Sequence, residues 1–397
     1  MSAKNIIKKI PALRMFAKLF YDWRQESSLD KRIKKFLDQK FLPFTEKAPD
    51  KYAVGYEPTI RCNLKCKMCY QGRTRALRRN ELDKDQVLSI FEKLKGKTKE
   101  IKLVGGEPLV RDDIFDLVRF WDKEGMRIIL QTNLTLLDEK KSNNIRELKK
   151  ISDILTSLDG PKEMHDLIRG APGTFDRLKK SMEIIKRERP DIPITVFATL
   201  LIDDNLNSFL KLIDTCKELG IGTINVLFEQ VYVQEEINAA RNIFKEFFGW
   251  KDNEYRLNTQ ERNPVFKNPI SPQELKNKLR KIRFYGLRKN CFVNFVPFNY
   301  YKNLDKYLGV KKTRAFCHKL LVPELRINQT GDVIWCDVIE KSFGNLLEKA
   351  PDEIWLSPEY QKFRKHLFEK GLPICYRCCK AHYISGKQKI KMMKTVL

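Results

Sequence analysis

Three cysteines in one short segment have a spacing that suits an iron–sulfur cluster. Cys62, Cys66 and Cys69 follow a C-x3-C-x2-C pattern. Cysteine thiolates are the usual protein ligands of a [4Fe–4S] cluster, which has four irons to ligate. Three ligands on one loop leave one iron open, and an open iron is able to bind a substrate or a cofactor. The alternatives are three unrelated thiols or a structural zinc site, which normally pairs two knuckles and fills all four positions.

The segment resembles the signature of the radical S-adenosylmethionine (radical SAM) enzymes, C-x3-C-x2-C with an aromatic residue usually just before the last cysteine. This chain departs slightly from it, because Met68 holds the aromatic position and Tyr70 follows Cys69. The resemblance implies that the open iron chelates the amino and carboxylate groups of S-adenosylmethionine (SAM). It also implies that Tyr70 lies beside the adenine, for which ordinary packing is the alternative.

A second motif, Gly105, Gly106, Glu107 and Pro108, follows the second predicted strand. Glycine lets a backbone approach a ligand closely, and a carboxylate pairs well with an ammonium group. The motif resembles the GGEP motif of radical SAM enzymes. The resemblance implies that its backbone and Glu107 bind the amino group of SAM, although GGE alone often marks only a turn.

Polar residues after the third and fourth predicted strands extend this candidate site. The run from Ser157 through Asp159 to Arg169 resembles the S-L-D-G…H-x-x-x-R-G segment common in the radical SAM subgroup with extra clusters. The resemblance implies that Ser157 and Asp159 contact SAM and that Arg169 contacts its carboxylate. For Ser157, a plain strand end is the alternative. Thr132 and Asn133 are further candidates for the same wall.

A second cysteine set, in the C-terminal part of the chain, comprises Cys317, Cys336, Cys375 and Cys378. It resembles the C-terminal region of SPASM and twitch radical SAM enzymes, C-x9-15-G-x4-C, a gap, then C-x2-C. The resemblance implies a fully ligated auxiliary [4Fe–4S] cluster, so two clusters are expected. The seven-cysteine SPASM pattern needs two further cysteines, whereas only Cys379 follows, which puts a second auxiliary cluster in doubt. A zinc knuckle is the alternative, and Cys379 is an alternative ligand to Cys378.

Strands and helices alternate in the part of the chain that carries these motifs. Strands are predicted over 54–60, 100–104, 127–131, 153–158, 194–201 and 223–228, and helices over 83–94, 112–123, 174–187 and 206–219. This order indicates an α/β fold with right-handed βαβ units and a parallel sheet, whose ligand site forms at the carboxyl ends of the strands. The first cysteine segment, the GGEP motif and the polar residues described above all fall at these carboxyl ends. The resemblance implies a partial (β/α)6 TIM-like barrel, and a doubly wound open sheet would give a similar pattern.

Four parts of the chain are expected. They are a basic amphipathic helical extension (1–50), the radical SAM core barrel (51–230), an aromatic-rich insert or linker (231–306) and a small auxiliary Fe–S cluster domain of twitch or SPASM type (307–397). The aromatic side chains of the insert either fill the seam between domains or line an apolar channel, and we favour the seam.

Composition and charge restrict the compartment and the partners. Apolar residues make up 42% of the 397 residues, which indicates a globular chain. Ten cysteines without a signal peptide favour metal ligation in a reducing cytoplasm. The net charge of +26 favours nucleic acid, an anionic membrane or phosphorylated substrates as partners, with plain solvation as the alternative. Residues 1–24 predict a basic helix that lies on an anionic membrane at its inner face, or packs on the protein itself.

The resemblance implies a radical SAM oxidoreductase or bond-forming enzyme. Reductive cleavage of SAM would give a 5′-deoxyadenosyl radical, which abstracts hydrogen from a C–H bond of a peptide, sugar or lipid-linked substrate. An auxiliary cluster would assist oxidation or bond formation, and a flavodoxin or ferredoxin would donate electrons. The alternatives are a nucleic-acid-modifying radical SAM enzyme, disfavoured by dispersed basic residues, and a non-enzymatic Fe–S electron carrier, in which an open iron and a GGEP motif would serve no purpose.

Overall fold

A computed structural model of the chain describes residues 47–69, 80–147, 149–259, 270–309 and 315–383. The helical extension predicted over residues 1–50, with its basic helix within 1–24, lies almost wholly outside these ranges, and so does Tyr70. Within the ranges, no helix combines the length and the apolar character needed to cross a membrane.

One nine-stranded sheet dominates the described residues, in the order β11-β10-β1-β2-β3-β4-β5-β6-β8. The strands within the described ranges are β1 (Tyr52–Tyr56), β2 (Thr98–Leu103), β3 (Arg127–Gln131), β4 (Ile151–Ser157), β5 (Ile194–Leu200), β6 (Thr223–Phe228), β7 (Tyr255–Leu257), β8 (Phe292–Val296), β9 (Phe316–Cys317), β10 (Glu324–Ile327), β11 (Val333–Ile334), β12 (Ile339–Lys341) and β13 (Ala381–His382). Neighbours in the large sheet run parallel, except for the antiparallel hairpin of β10 and β11. This arrangement confirms the predicted α/β class with a partial, barrel-like parallel sheet.

Helices cover one side of the sheet and connect its parallel strands. They are α1 (Lys84–Leu94), α2 (Ile114–Lys123), α3 (Glu139–Glu147), α4 (Lys162–Arg169), α5 (Thr174–Glu188), α6 (Phe209–Glu218), α7 (Gln234–Ile243), α8 (Pro272–Arg288), α9 (Phe298–Lys302), α10 (Leu304–Tyr307), α11 (Pro351–Leu356) and α12 (Pro358–Glu369). Hydrophobic periodicity predicts α1, α2, α5 and α6. It misses α3 and α4, because both are short and carry few apolar residues.

The two faces of the sheet differ in burial, because successive side chains of a strand point to opposite faces. In β2, Ile101 and Leu103 are fully buried under the helices, whereas Lys102 between them is only half-buried on the concave face. On the helix side, the rings of Tyr56, Phe91 and Trp121 meet at centroid distances of 4.7 to 6.1 Å. The apolar core therefore lies between the sheet and the helices, and the concave face carries polar side chains.

The sheet continues beyond the six strands predicted for the core barrel. β8 lies within the expected insert, yet it pairs parallel with β6. β10, from the expected auxiliary domain, pairs parallel with β1. The expected boundaries near residues 230 and 307 thus fall inside one continuous sheet. β8 escapes prediction because its sequence, FVNFV, stands among aromatic residues that resemble seam filler.

Aromatic side chains of the insert pack against the C-terminal region. Trp250 stacks on Phe363 of α12 at 5.5 Å and meets Phe343 at 6.0 Å. Phe248 contacts Phe363 at 5.6 Å. This part of the aromatic cluster fills a seam between the two regions, as the sequence analysis favoured.

A capping box fixes the start of α1, after the first cysteine segment. The Asp83 carboxylate accepts the Gln86 N–H at 2.8 Å, and the Gln86 side-chain oxygen accepts the Asp83 N–H at 3.1 Å. Asp83→Ala is expected to lower the free energy of unfolding by about 1 kcal/mol, because the helix loses its cap. The control Asp83→Asn keeps an accepting oxygen and should lose much less. Urea titrations of anaerobically purified protein measure both, and equal losses would contradict the capping role.

Candidate active site and cluster-binding cysteines

The first cysteine segment follows β1 and is fastened to the C-terminal end of α4. The N–H groups of Lys65 and Lys67 donate to the carbonyl oxygens of Arg169 and Ile168, at 3.3 and 2.9 Å. These carbonyls would otherwise lack partners, because the last carbonyls of a helix have none within the helix. Gly170 then turns the chain with φ +70°, and a Cβ there would lie 2.5 Å from the Lys65 carbonyl oxygen. The segment therefore has one position against the barrel rim.

Hydrogen-bond donors surround the sulfur atoms of this segment. The Leu64 N–H lies 3.4 Å from Cys62 Sγ, and Asn133 Nδ2 lies 4.0 Å from the same sulfur. Arg169 Nη1 lies 3.7 Å from Cys66 Sγ. Burial raises the pKa of the Cys66 thiol, and the Arg169 charge opposes that rise. Donors of this kind stabilise thiolate sulfur and tune iron–sulfur clusters, so the residues present fit a cluster here.

Arg169 is held in place by a buried carboxylate. Its Nε and Nη2 donate to Asp159 Oδ2, each at 2.6 Å, and Asp159 Oδ1 accepts the Thr199 N–H at 2.7 Å. His165 Nδ1 accepts the Asp159 N–H at 3.2 Å. Burial, followed by the Arg169 charge, lowers the pKa of His165 to about 3, so its ring stays neutral. Asp159 is fully buried and reaches the cysteines through Arg169, whereas Ser157 is half-buried at the end of β4.

Glu107 joins the loops that follow β2 and β3. It is 1% exposed, and its Oε1 accepts the Leu109 N–H at 3.1 Å and the Thr132 hydroxyl at 2.7 Å. Its Oε2 accepts the Asn133 N–H at 2.7 Å. Burial raises the pKa of Glu107, and these three hydrogen bonds oppose that rise. The carboxylate therefore organises the loop that carries Asn133.

The two glycines of the GGEP segment allow a close approach to the chain before Cys62. Gly105 has φ +108°, and a Cβ there would lie 2.7 Å from the Thr59 carbonyl oxygen. A Cβ at Gly106 would overlap the Arg61 carbonyl oxygen. Pro108 follows and begins a short 3-10 turn. The side-chain space that the two glycines leave empty faces the backbone before the cysteine segment, and their contact with SAM stays a prediction.

Four further residues, Asn63, Thr135, Lys67 and Asp204, take part in fastening the cysteine segment, and sequence reasoning did not identify them. Asn63 Oδ1 accepts from Asn133 Nδ2 at 3.0 Å, and Asn63 Nδ2 donates to Thr135 Oγ1 at 2.7 Å. Lys67 Nζ pairs with Asp204, after β5, at 2.7 Å. Their only signal in the sequence is position, since Asn63 and Lys67 lie between the cysteines. The segment is thus held from the ends of β3, β4 and β5.

The second cysteine set gathers around the pairing of β9 with β13. Cys317 lies in β9 and pairs with Ala381 of β13. Burial raises the pKa values of the thiols of Cys317, Cys336 and Cys375. The charges of Cys317 and Cys336 also raise the pKa of the Cys375 thiol, because these side chains are within electrostatic range of it. Four thiols drawn from three chain segments fit the resemblance to an auxiliary cluster site.

Backbone N–H groups and a buried lysine surround this set. The Ile339 N–H lies 3.4 Å from Cys336 Sγ, and the Lys380 N–H lies 3.5 Å from Cys378 Sγ. Lys319 is 6% exposed and donates to the Trp335 carbonyl oxygen at 2.7 Å. Across the described ranges, no three His, Cys, Asp or Glu side chains converge as ligands of a single metal ion would. The environment provides positive charge and donors beside the sulfurs.

Cys379 adjoins this set and is hydrogen-bonded to Cys378, which lowers the pKa of the Cys379 thiol. Tyr300 fixes the same loop, because its hydroxyl donates to the Cys378 carbonyl oxygen at 2.7 Å. Arg377 contacts α7, donating to Glu236 at 2.6 Å. Cys378 is within electrostatic range of Cys375 and Cys317, and Cys379 stays the alternative ligand beside it.

Comparison with known families matches both cysteine regions. The model described as "Radical SAM superfamily" matches residues 56–216, and the SPASM model, described as "Iron-sulfur cluster-binding domain", matches residues 317–379. A radical SAM domain binds a [4Fe–4S] cluster and SAM, and a SPASM domain binds further iron–sulfur clusters. These matches confirm the expected cofactors and the resemblance from which they came.

Relatives and solved structures agree with these domains. An AdoMet-dependent heme synthase of Methanosarcina barkeri is 32% identical over 177 residues, 44% of this chain and 50% of that protein, so the match spans only half of the relative. An AdoMet-dependent heme synthase of Oleidesulfovibrio alaskensis is 26% identical over 326 residues, 78% of this chain and 76% of that protein. Streptococcus suis SuiB bound to S-adenosylmethionine is 17% identical, with a TM-score of 0.56 over 88% of this chain and 76% of its own, which shows the shared fold.

Iron content tests the two cysteine sets separately. Anaerobically reconstituted protein is expected to hold about eight irons per chain, four in each cluster. Replacing Cys62, Cys66 and Cys69 together by Ala should remove about half of the iron and abolish SAM cleavage, because only the auxiliary set remains. Cys216→Ala, at a buried cysteine outside both sets, is the control and should keep all of the iron. Zinc at the C-terminal set, or loss of all iron from the triple variant, would contradict this assignment.

Proposed function

Because the chain carries a radical SAM domain followed by a SPASM-type iron–sulfur domain, we propose that it cleaves SAM reductively and removes a hydrogen atom from a substrate on the concave face of its sheet. The observation that supports this most directly is the position of the first cysteine segment. It is held at the carboxyl ends of the strands by Arg169, Asn133 and Lys67. In parallel α/β folds this end of the sheet carries the ligand site.

The residues of the rim have separate proposed roles. When bound, the reduced cluster supplies the electron that cleaves SAM into methionine and a 5′-deoxyadenosyl radical. Arg169 provides a fixed positive charge beside Cys66, suited to the carboxylate of SAM, and Asp159 keeps the guanidinium in that orientation. Glu107 fixes the loop of Asn133 beside Cys62. Contacts of Gly105, Gly106, Pro108, Thr132, Ser157 and Tyr70 with SAM remain part of the proposal.

The second cysteine set is proposed to assist the oxidation. Cys317 is buried and the other three cysteines are partly buried. Three segments supply them, and all four positions of a cluster have a thiol available. Such ligation suits electron transfer from a substrate radical better than direct binding of substrate. An external electron donor, such as a flavodoxin or ferredoxin, completes the reaction by reducing the first cluster.

For the substrate, we favour a tetrapyrrole over the peptide, sugar or lipid-linked classes expected from the sequence. Both relatives reported above are named heme synthases. The likeness to SuiB extends to the fold alone and so does not support a peptide. Contact of residues 1–24 with an anionic membrane stays a proposal, because these residues lie outside the described ranges. A cytoplasmic location is likewise a proposal.

Labelled products test the reaction itself. Dithionite-reduced protein with SAM is expected to release methionine and 5′-deoxyadenosine in equal amounts. With a tetrapyrrole deuterated on its side chains, the 5′-deoxyadenosine should gain one deuterium, which mass spectrometry detects. Absence of SAM cleavage by protein with a full iron content would reject the enzyme and favour an electron carrier. Cleavage without deuterium transfer would reject the tetrapyrrole.

Glu107→Gln tests the organisation of the rim. An amide replaces one accepting oxygen by a donor and cannot satisfy the Thr132 hydroxyl and the Asn133 N–H as the carboxylate does. The affinity for SAM is expected to fall roughly tenfold to a hundredfold, with the iron content unchanged. The control is Glu92→Gln, on the exposed side of α1. Equilibrium dialysis with labelled SAM measures the affinity of both variants for SAM. Unchanged affinity in Glu107→Gln would show that Glu107 acts only as a turn residue.

A further inference from the structure

A row of residues crosses the concave face of five neighbouring strands. Strand register aligns Arg326 with Gly55, Gly55 with Lys102, Lys102 with Ile129, and Ile129 with Asp153. Neighbouring strands lie about 4.8 Å apart, so the Cα atom of Lys102 is roughly 10 Å from those of Arg326 and Asp153. Lys102 therefore stands in the middle of the row.

The arginine of this row already has carboxylate partners. Arg326 donates to Glu57 Oε1 from Nε at 2.9 Å and from Nη2 at 2.6 Å, and it also pairs with Asp337. A Cβ at Gly55 would lie 3.0 Å from Arg326 Nη1, so the glycine leaves room for the guanidinium above β1. The guanidinium is thus neutralised on its own side of the row.

Lys102 differs, because no side chain in the described part of the protein forms a hydrogen bond or an ion pair with its Nζ. Its electrostatic neighbours include Lys380, Arg326, Glu324 and Asp337. Burial, and then the charge of Lys380, lower the pKa of Lys102 to about 8, so the ammonium form still prevails at pH 7. Burying a charge even partly without a partner costs free energy. Binding of a counter-ion to Lys102 would remove that cost.

Charges of both signs lie around Lys102. Lys319 pairs with Glu324 at 2.9 Å. Lys319, Arg326 and Lys380 contribute positive charge near Lys102, and the carboxyl groups nearby are Glu57, Glu324, Asp337 and Asp153. In the described part of the protein none of these carboxyl groups forms an ion pair with Lys102, so one substrate carboxylate is enough to pair with its ammonium group.

We propose that the ammonium group of Lys102 binds a carboxylate of the substrate on the concave face of the sheet. Lys102 precedes Gly105 by three residues, so it lies about 10 Å along the strand from the rim, at 3.3 Å per residue. On its other side it is within electrostatic range of Cys379. A substrate anchored there spans the space between the two cysteine sets. The inference rests on the proposed function, because it places the substrate of that reaction.

Haem is the probe, because it carries two carboxylates and is the product that the relatives' names state. Absorbance titrations of anaerobically reconstituted protein compare wild type, Lys102→Met, Lys102→Arg and the control Lys99→Met, at an exposed lysine of the same strand. Lys102→Met is expected to weaken haem binding roughly tenfold to a hundredfold, and Lys102→Arg to change it less than threefold, because the charge is kept. Lys99→Met should match wild type. Haem dimethyl ester should bind wild type as weakly as haem binds Lys102→Met.

Three outcomes would overturn the anchor. They are equal haem affinity in Lys102→Met and wild type, equal affinity of wild type for haem and its ester, and no haem binding to wild type. Thermal melting of the haem-free proteins is the second measurement. Loss of an unpartnered charge should leave Lys102→Met as stable as wild type or more stable, and a large destabilisation would make Lys102 structural. SAM cleavage by wild type without haem is measured in parallel, so a failure there identifies a failure of the proposed function instead.

Discussion

The buried ion pair between Asp159 and Arg169 is the interaction on which the rim of the barrel depends. Asp159 is fully buried and takes its hydrogen bonds from Arg169 and from the backbone of β5. Removing one partner of such a pair leaves an uncompensated buried charge, which costs about 3–5 kcal/mol. The same arginine donates toward Cys66 with its side chain and accepts the Lys65 N–H with its carbonyl oxygen. One residue therefore sets both the position of the cysteine segment and the charge beside it.

The two cysteine regions have the same physical character, although their folds differ. One short segment supplies the sulfur atoms of the first region, and three distant segments supply those of the second. In each region, N–H groups and a basic side chain lie beside the sulfur atoms. At the rim the basic side chain is that of Arg169, and in the C-terminal region it is that of Lys319. Such surroundings favour thiolate and the negative charge of a bound cluster. The concave face between the two regions is polar, with ion pairs where partners exist.

Motif spacing and strand order were enough to predict β1 to β6 of the parallel sheet and to identify the candidate cysteines. The C-x3-C-x2-C and GGEP motifs can be recognised directly in the sequence, and hydrophobic periodicity locates the strands that they follow. The position of Glu107 was predictable, but not its partners, because its contacts with Thr132 and Asn133 depend on how two loops meet in space. Asn63 and Lys67 carry no sequence signal beyond their place between ligands. β8 was missed because FVNFV, a run of four apolar residues around Asn294, fits a strand, a helix or a seam equally well.

The pairing of β10 with β1 has a consequence for how the protein is made. Glu57 and Arg326, which cross that pairing, are 269 residues apart in the chain. While the ribosome has delivered only the core, the edge of β1 has no neighbour on that side, and its backbone N–H and C=O groups are open to pairing with another chain. Contacts between such distant residues also form slowly, because a long loop must close first. The C-terminal region therefore does more than bind a second cluster. Its strand β10 pairs with the open edge of the nascent sheet and so protects that edge from aggregation.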